Sequence, residues 1–272
     1  MDKIYEKLKS HTKNIRKHML DTALEAGSNS SHFGGALSTV EILTTLYGHI
    51  MNYDFSNPLY QKRDRFILSK GHGCLSYYCT LKEFGIINQK DLMTFEKFDS
   101  DFLGHPVMNK KKGIEFSTGS LGMGLSLGIG TSLASIKKKI NYHTYVVIGD
   151  GECNEGSIWE SALFASANNV NNITVILDHN KFQQTGSVQD ILNTKSLSKK
   201  WEAFGWHVIE VDGHNINEII KATQLDVKKP KIIIAHTIKG KGFSFSENNN
   251  DWHHAVLSKS FYDQAISELN IT

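Results

Sequence analysis

Two polar turns carry the residue types that hold a cation against a phosphate: Gly149-Asp150-Gly151 and Asp178-His179-Asn180-Lys181-Phe182. Each ends an apolar run, Tyr145-Val146-Val147-Ile148 for the first and Ile173 to Leu177 for the second, and both runs read as buried strands. The stretch between them, Glu155 to Asn168, reads as a crossover helix. That makes a βαβ unit, with Asp150 and Asn180 expected side by side at the carboxyl ends of two parallel strands. Open parallel sheets bind ligands at that edge. One carboxylate, one amide oxygen and nearby backbone carbonyls form an all-oxygen donor set suited to Mg²⁺ or Ca²⁺. Gly151 leaves room for a phosphate to approach the backbone.

Histidines occupy other polar turns: His32 after a helix end, His72 after a strand, His105 in Leu103-Gly104-His105-Pro106, and His253 after an asparagine run, while the last strand ends at His236. One histidine in a glycine-rich turn is more often structural than catalytic. Four in turns that a doubly wound sheet would gather at one edge read as a site, since imidazoles hydrogen-bond sugar hydroxyls and diphosphate oxygens and exchange protons near neutral pH. Glu155 and Glu160 read either as an ordinary acidic first turn or as a second acidic group beside the phosphate site. The loop Thr118-Gly119-Ser120-Leu121-Gly122 is either a tight helix entry or a backbone platform for a flat heteroaromatic ring with Leu121 on its face. It is not a dinucleotide fingerprint, because Leu125, Ser126 and Leu127 follow Gly122-Met123-Gly124 where a third glycine is required, and no P-loop is present.

The elements that must position these turns alternate in type. Helical spacing runs from about Ile4 to Ala26 and closes at Gly27; a second helix is expected over Leu37 to Tyr47. Arg65 to Ser69 reads as the first strand, and a helix follows Lys70-Gly71-His72-Gly73 to about Phe84. The glycine-bearing loop ending at Gly124 opens a helix to about position 138. After the βαβ unit come a helix at Trp201 to Phe204, a strand at His207 to Val211, a helix at Ile216 to Leu225, a strand at Lys231 to Ala235 and a helix at Ser258 to Leu269. Strands alternating with helices predict an α/β fold, doubly wound, with a mainly parallel sheet and helices on both faces. No repeat, low-complexity block or linker interrupts the chain, so one domain over residues 1–272 is expected.

At 272 residues and 40% apolar content the chain can bury a sizeable core. A formal charge of +2 gives no push towards nucleic acid, and the runs Lys110-Lys111-Lys112 and Lys137-Lys138-Lys139 lack aromatics and read as solvated surface. Cys74, Cys79 and Cys153 have no metal-ligand spacing and predict free thiols in a reducing compartment. The charged first twenty residues do not read as a secretory signal, and no apolar stretch approaches the roughly 20 residues needed to span a bilayer. A cytoplasmic protein without a membrane partner is expected.

Taken together, the motifs resemble the amino-terminal half of transketolases over nearly the whole chain. They are Ser31-His32-Phe33-Gly34-Gly35, Leu68-Ser69-Lys70-Gly71-His72, Gly104-His105-Pro106, Ser117-Thr118-Gly119-Ser120-Leu121-Gly122, Gly149-Asp150-Gly151 through Glu155-Gly156 and Glu160, the Asp178 to Phe182 turn, Thr237-Ile238-Lys239-Gly240-Lys241-Gly242, and Trp252-His253. The resemblance implies the thiamine diphosphate-binding fold, with a divalent metal (Mg²⁺, or Ca²⁺ or Mn²⁺) held by Asp150, Asn180 and the carbonyl of Phe182. It implies that Gly151, His72 and His253 contact the diphosphate and that Gly119 and Leu121 sit at the thiamine rings. It places His32 and His105 at the reacting end of the sugar, with Lys70 and Lys239 along the cofactor or substrate channel. Glu155 would meet a glutamate of a partner chain, and Glu160 would join that acidic network.

The sequence departs from the pattern at His254, where glycine is usual, and at Lys112, where a proline often precedes Gly-Ile-Glu-Phe. Deoxyxylulose-phosphate synthases normally carry glycine at the position of Glu155, and alpha subunits of 2-oxo acid dehydrogenases share fewer of the histidines, so the transketolase branch fits best. Full-length transketolases continue into a pyrimidine-binding domain with the activating glutamate and then a third domain. This chain therefore resembles one subunit of a split transketolase, or a fragment, expected in a two-plus-two assembly with a carboxy-terminal subunit. The reaction implied is transfer of a two-carbon ketol unit between sugars or sugar phosphates, with the cofactor as electron sink. Two other readings remain: a thiamine enzyme acting on an unusual sugar or 2-oxo acid, and a non-catalytic subunit that holds cofactor and regulates another enzyme. The retained histidines disfavour the latter.

Overall fold

Five apolar runs meet in one sheet. β1 (Arg65–Leu68), β2 (Thr144–Gly149), β3 (Ile173–His179), β4 (His207–Asp212) and β5 (Lys231–His236) pair in parallel in the order β1-β2-β3-β5-β4. The computed structural model describes residues 2–271. The central strands are apolar on both sides, as a sheet covered on two faces requires. Phe66, Leu68, Tyr145, Val147, Ile176 and Ile233 enter one core, and Ile67, Val146, Ile148, Val175, Leu177, Ile232 and Ile234 enter the other. This is the period-2 alternation of a strand, and each such side chain contributes about 1.5–3 kcal/mol on full burial.

The first core is covered by α1 (Asp2–Ala26), α2 (Phe33–Leu37), α3 (Val40–Thr45), α4 (Cys74–Glu83) and the short α5 (Gln89–Leu92), through Ile15, Met19, Leu43, Tyr77 and Leu92 among others. The second is covered by α6 (Gly124–Lys138) and α7 (Gly156–Ala167), then, after α8 (Val188–Leu192), by α9 (Leu197–Ala203), with Leu125, Ile129, Ile158, Ala162 and Trp201 packed on the strands. α10 (Ile216–Gln224) and α11 (Lys259–Ile271) return to the first side. Among the described residues no helix is long and apolar enough to cross a membrane.

The helix expected over Leu37 to Tyr47 is broken. It runs as α2, α3 and a π-turn at Leu46–Ile50. Ser38 Oγ donates to the carbonyl of Gly35 and Thr39 Oγ1 to that of Ala36, so two adjacent hydroxyls compete with the helical ladder where it bends. The short α5 and α8 were not anticipated. Their signals are local caps: Asn88 and Asp91 form a reciprocal capping box, and Ser187 accepts from the Asp190 N–H at 3.1 Å.

Register decides what meets at the carboxyl edge. Gly149 lies opposite Asp178, and Asp178 opposite Ala235. The turns after β1, β2, β3 and β5 therefore leave the sheet side by side.

Candidate active site

A cavity of about 320 Å³ opens at that edge. It is lined by Lys70 from the turn after β1, Asp150, Gly151 and Glu152 after β2, Asn180, Phe182 and Gln183 after β3, and Gly119 and Leu121 from the loop before α6. His32, His72, His105, His253 and Glu155 complete the wall. The structure thus brings together the residues singled out from the sequence except three: His236 at the end of β5 is exposed and pairs with Glu210, away from the cavity, and Lys239 and Glu160 stand outside its lining. Lys239 stands immediately behind the wall, donating to His253 Nδ1 at 3.0 Å and to Asn250 Oδ1 at 2.5 Å. Glu160 is on the outer side of α7, exposed, beside a shallow apolar groove formed with Ile129, Leu133 and Phe164.

At the cavity floor Asp150 is 2% exposed. Its Oδ1 accepts from the Gly151 N–H at 2.8 Å and its Oδ2 from the Lys181 N–H at 2.5 Å. Burial, reinforced by the charge of Asp178, pushes its pKa up to about 7, against the pull of those two N–H groups. A carboxyl in that condition is one that a divalent cation would hold ionised. Asn180 is oriented by its neighbour: its Nδ2 donates to Asp178 Oδ2 at 2.9 Å, while Oδ1 faces the turn and accepts from the Phe182 N–H at 3.0 Å. Among the described residues no group of three or more His, Cys, Asp or Glu side chains is arranged to hold a metal. A cation here would rest on one carboxylate, one amide oxygen and backbone carbonyl, the donor set of a hard ion. The residues present fit that group.

Asp178 itself is fully buried and saturated. It accepts from Lys70 Nζ at 2.5 Å, from Ser38 Oγ at 2.7 Å, from Thr237 Oγ1 and from Asn180. The Lys70 charge holds its carboxyl below the usual range in spite of burial. Lys70, 1% exposed, also donates to the Gly35 carbonyl at 2.9 Å.

The histidines form one cluster. His32 is central, with ring centroids 5.3 Å from His105, 5.5 Å from His253 and 5.8 Å from His72, and His72 stacks on His253 at 5.5 Å. All four have lowered pKa values. Burial, then the surrounding imidazoles, takes His32 to about 3; burial, then Lys239 and Lys70, takes His253 to about 4. Burial and Lys70 carry His72 well below its usual value, and burial and His254 lower His105. At neutral pH these rings are uncharged, each with one N–H and one lone pair. Lys239 uses the lone pair of His253 Nδ1, so its Nε2 carries the proton. The Lys239 ammonium is pulled down to about 8 by burial and by Lys70.

Donors are also left over. Gln183 lines the cavity, and its buried Nε2 has no hydrogen-bond partner among the described residues; the same holds for His32 Nδ1. These are groups a diphosphate or sugar oxygen can satisfy. Gly151 is packed against Gln183, whose Cγ would lie 2.9 Å from a Cβ at that position. Gly119 has φ +146°, and a Cβ there would come within 3.0 Å of the His105 ring, so this platform depends on glycine.

Sequence reasoning missed Glu152. It is 2% exposed and joins three loops of the site. Ser69 Oγ and the Gly122 N–H (2.8 Å) donate to Oε1, and the Gly149 N–H (3.0 Å) donates to Oε2. No periodicity marks such a residue, since two of its partners are remote in the chain. The hub role of Asp178 was missed for the same reason.

Residues 8–269 match the family model described as transketolase, thiamine diphosphate binding domain. The chain belongs to this family. An apulose-4-phosphate transketolase subunit from Actinobacillus succinogenes is 41% identical over 268 residues, covering 97% of this chain and 96% of that one. Its namesake from Phocaeicola vulgatus is 38% identical over 268 residues, with 97% and 94% covered. Among solved structures, transketolase from Leishmania mexicana superposes with a TM-score of 0.89 at 27% identity, covering 97% of this chain and 41% of its own. The chain therefore spans about two fifths of that solved transketolase but nearly all of the separate transketolase subunits. The parallel sheet is the transketolase α/β fold, as the sequence pattern implied.

Proposed function

We propose that this chain is the cofactor-binding half of a two-chain transketolase, which with a carboxy-terminal subunit transfers a two-carbon ketol unit from a ketose, or its phosphate, to an aldose. The observation that carries the proposal is the convergence of Asp150 and Asn180 under a wall of four uncharged histidines. In this reading Asp150, Asn180 and the Phe182 carbonyl hold Mg²⁺, or Ca²⁺ or Mn²⁺, against the diphosphate. His72, His253, Gly151 and Gln183 contact the diphosphate, with Lys239 buttressing His253, and Gly119 and Leu121 bear on the thiamine rings. Thiamine diphosphate, when bound, supplies the electron sink for breaking the carbon–carbon bond beside the ketose carbonyl. His32 and His105 hold and exchange protons at the sugar oxygens.

Partner contact is assigned to the outer face of α6 and α7. Glu160 and the half-exposed Phe164 line an apolar groove with Ile129 and Leu133 there, Met123, Ile136 and Leu163 of the same two-helix region are also about half exposed, and Glu155 lines the cavity. An apolar face of this kind suits an obligate assembly, here of two copies of each chain. The residues form one diphosphate-binding domain, and three buried free cysteines support a cytoplasmic setting. The similar subunits named for apulose 4-phosphate make an uncommon ketose phosphate the donor to try first.

The test mixes purified chain with the candidate partner, thiamine diphosphate and Mg²⁺, and follows mass and ketol transfer together. Transfer should require both chains, and Asp150→Ala or Asn180→Ala should abolish tight cofactor binding without unfolding the chain. Wild-type cofactor affinity in both variants would overturn the metal assignment, and full turnover by this chain alone would overturn the two-chain reading.

A further inference from the structure

His254 sits where the transketolase pattern has glycine. Its backbone, φ −143° and ψ 111°, is ordinary extended chain open to any residue, so the fold there does not call for a particular side chain. Its placement is nonetheless fixed. Ser31 and Ala255 exchange both backbone hydrogen bonds at 3.0 Å, which clamps the segment carrying His254 against the one carrying His32. The His254 ring centroid lies 4.4 Å from that of His32, nearer than any of the other three histidines.

The ring is exposed, so it stands at the outer end of the cluster, with the buried Lys70 at the inner end. Ser30 Oγ lies 3.1 Å from Nε2 and 3.3 Å from Nδ1, so it can pair with one ring nitrogen and leave the other for a ligand. Ser30 holds φ +59°, a left-handed value that a non-glycine residue adopts at some cost, and such strain concentrates at functional positions. Its hydroxyl donates to the Asn29 carbonyl at 2.6 Å, so towards the imidazole it serves as acceptor. Glu96 completes the rim: its carboxyl accepts from the Gly104 N–H, next to His105, and burial raises its pKa against the lesser opposing pull of nearby His254. The rim thus presents imidazoles, a hydroxyl and a carboxylate, donors and acceptors mixed. A carboxylate repels a phosphate dianion there, whereas sugar hydroxyls pair with every member.

We propose that His254 is a specificity-determining residue that hydrogen-bonds the hydroxylated chain of the sugar substrate beyond its reacting carbons. The inference rests on the ketol-transfer reading. It is tested with the assembled two-chain enzyme, hydroxypyruvate as ketol donor, and two unphosphorylated acceptors, glycolaldehyde and D-erythrose. The first has no chain beyond the new bond's neighbour; the second has hydroxyls that reach the rim.

His254→Phe keeps a ring against His32 and removes the hydrogen bond; His254→Gly removes both; His254→Asn keeps a polar group. The kcat/KM ratio of erythrose to glycolaldehyde should fall about tenfold in the Phe and Gly variants, the size of one hydrogen bond to an uncharged hydroxyl, and should recover in part in the Asn variant. A ratio unchanged in both the Phe and Gly variants overturns the assignment. So does a fall in thiamine diphosphate affinity that accounts for the whole effect, because the ring would then act through the diphosphate shell. Absence of transfer to either acceptor by the wild-type assembly would instead overturn the ketol-transfer reading itself.

Discussion

Replacing Glu152 by glutamine tests whether one buried carboxylate holds the site's loops in place. Backbone N–H groups can only donate, and one points at each carboxylate oxygen: Gly122 at Oε1 and Gly149 at Oε2, with Ser69 Oγ also at Oε1. A glutamine has a single acceptor oxygen. Placed at Oε1 it keeps Ser69 and Gly122, and its amide N–H then faces the N–H of Gly149. Two buried donors, the Gly149 N–H and the glutamine amide that faces it, are left unpaired, and the lost acceptor costs about 1–3 kcal/mol. Taking the middle of that range, melting should drop by roughly 4–8 °C for a chain of this size. Because Gly149 immediately precedes Asp150, the strand end that presents the metal-binding carboxylate loosens as well. Thiamine diphosphate affinity should fall about tenfold with Mg²⁺ present, a shift equal to ~1.4 kcal/mol. Glu152→Ala, which strips all three donors of their acceptor, should lose at least twice as much stability. Urea denaturation gives the stability change and tryptophan fluorescence the cofactor affinity. If Glu152→Gln unfolds at the wild-type midpoint with the wild-type slope, the reasoning fails.

His105→Ala should lower turnover with a ketose donor by about a hundredfold while leaving cofactor affinity nearly unchanged, since its assigned contact is with the sugar; an equal loss of cofactor affinity would move His105 to the diphosphate. Glu41, in the buried cluster with Arg16 (2.7 Å) and His214 (2.9 Å), provides a pH test. Burial opposes its ionisation, but Arg16 and His214 prevail and hold the folded pKa at about 2, below the ordinary 4.5. A carboxyl depressed in the folded state adds stability above its unfolded pKa and loses it as pH falls through the folded value. Its contribution, on the order of 3 kcal/mol, should therefore fade between pH 4.5 and 2. Thermal melts from pH 7 to 2 should show Glu41→Gln less stable at neutrality, with Arg16 left unpaired, and converging on wild type in acid. Parallel acid limbs would refute this.

Much of the fold was legible because its signals are local. Strand runs such as Tyr145 to Ile148 and Ile173 to Leu177 are continuous apolar segments, and parallel strands need crossovers of helical length, which the spacing supplied. The turns at Asp150 and Asn180 were legible for the same reason: a strand end in a βαβ unit can lie only at one edge of the sheet. The break after Leu37 was less visible, because it depends on which way the hydroxyls of Ser38 and Thr39 turn.

Tertiary structure alone decided what those turns touch. The sequence shows an acid at 152 and another at 178, and nothing in its periodicity says that one gathers N–H groups from two loops and the other neutralises Lys70 while turning the amide of Asn180. It shows His254 as a departure from a pattern, and only the bridge between Ser31 and Ala255 sets its ring over His32. Secondary structure follows from side-chain spacing along one chain segment. Ionisation and hydrogen bonding in a buried site depend on burial and on partners far apart in sequence, and those exist only once the sheet has brought four strand ends together.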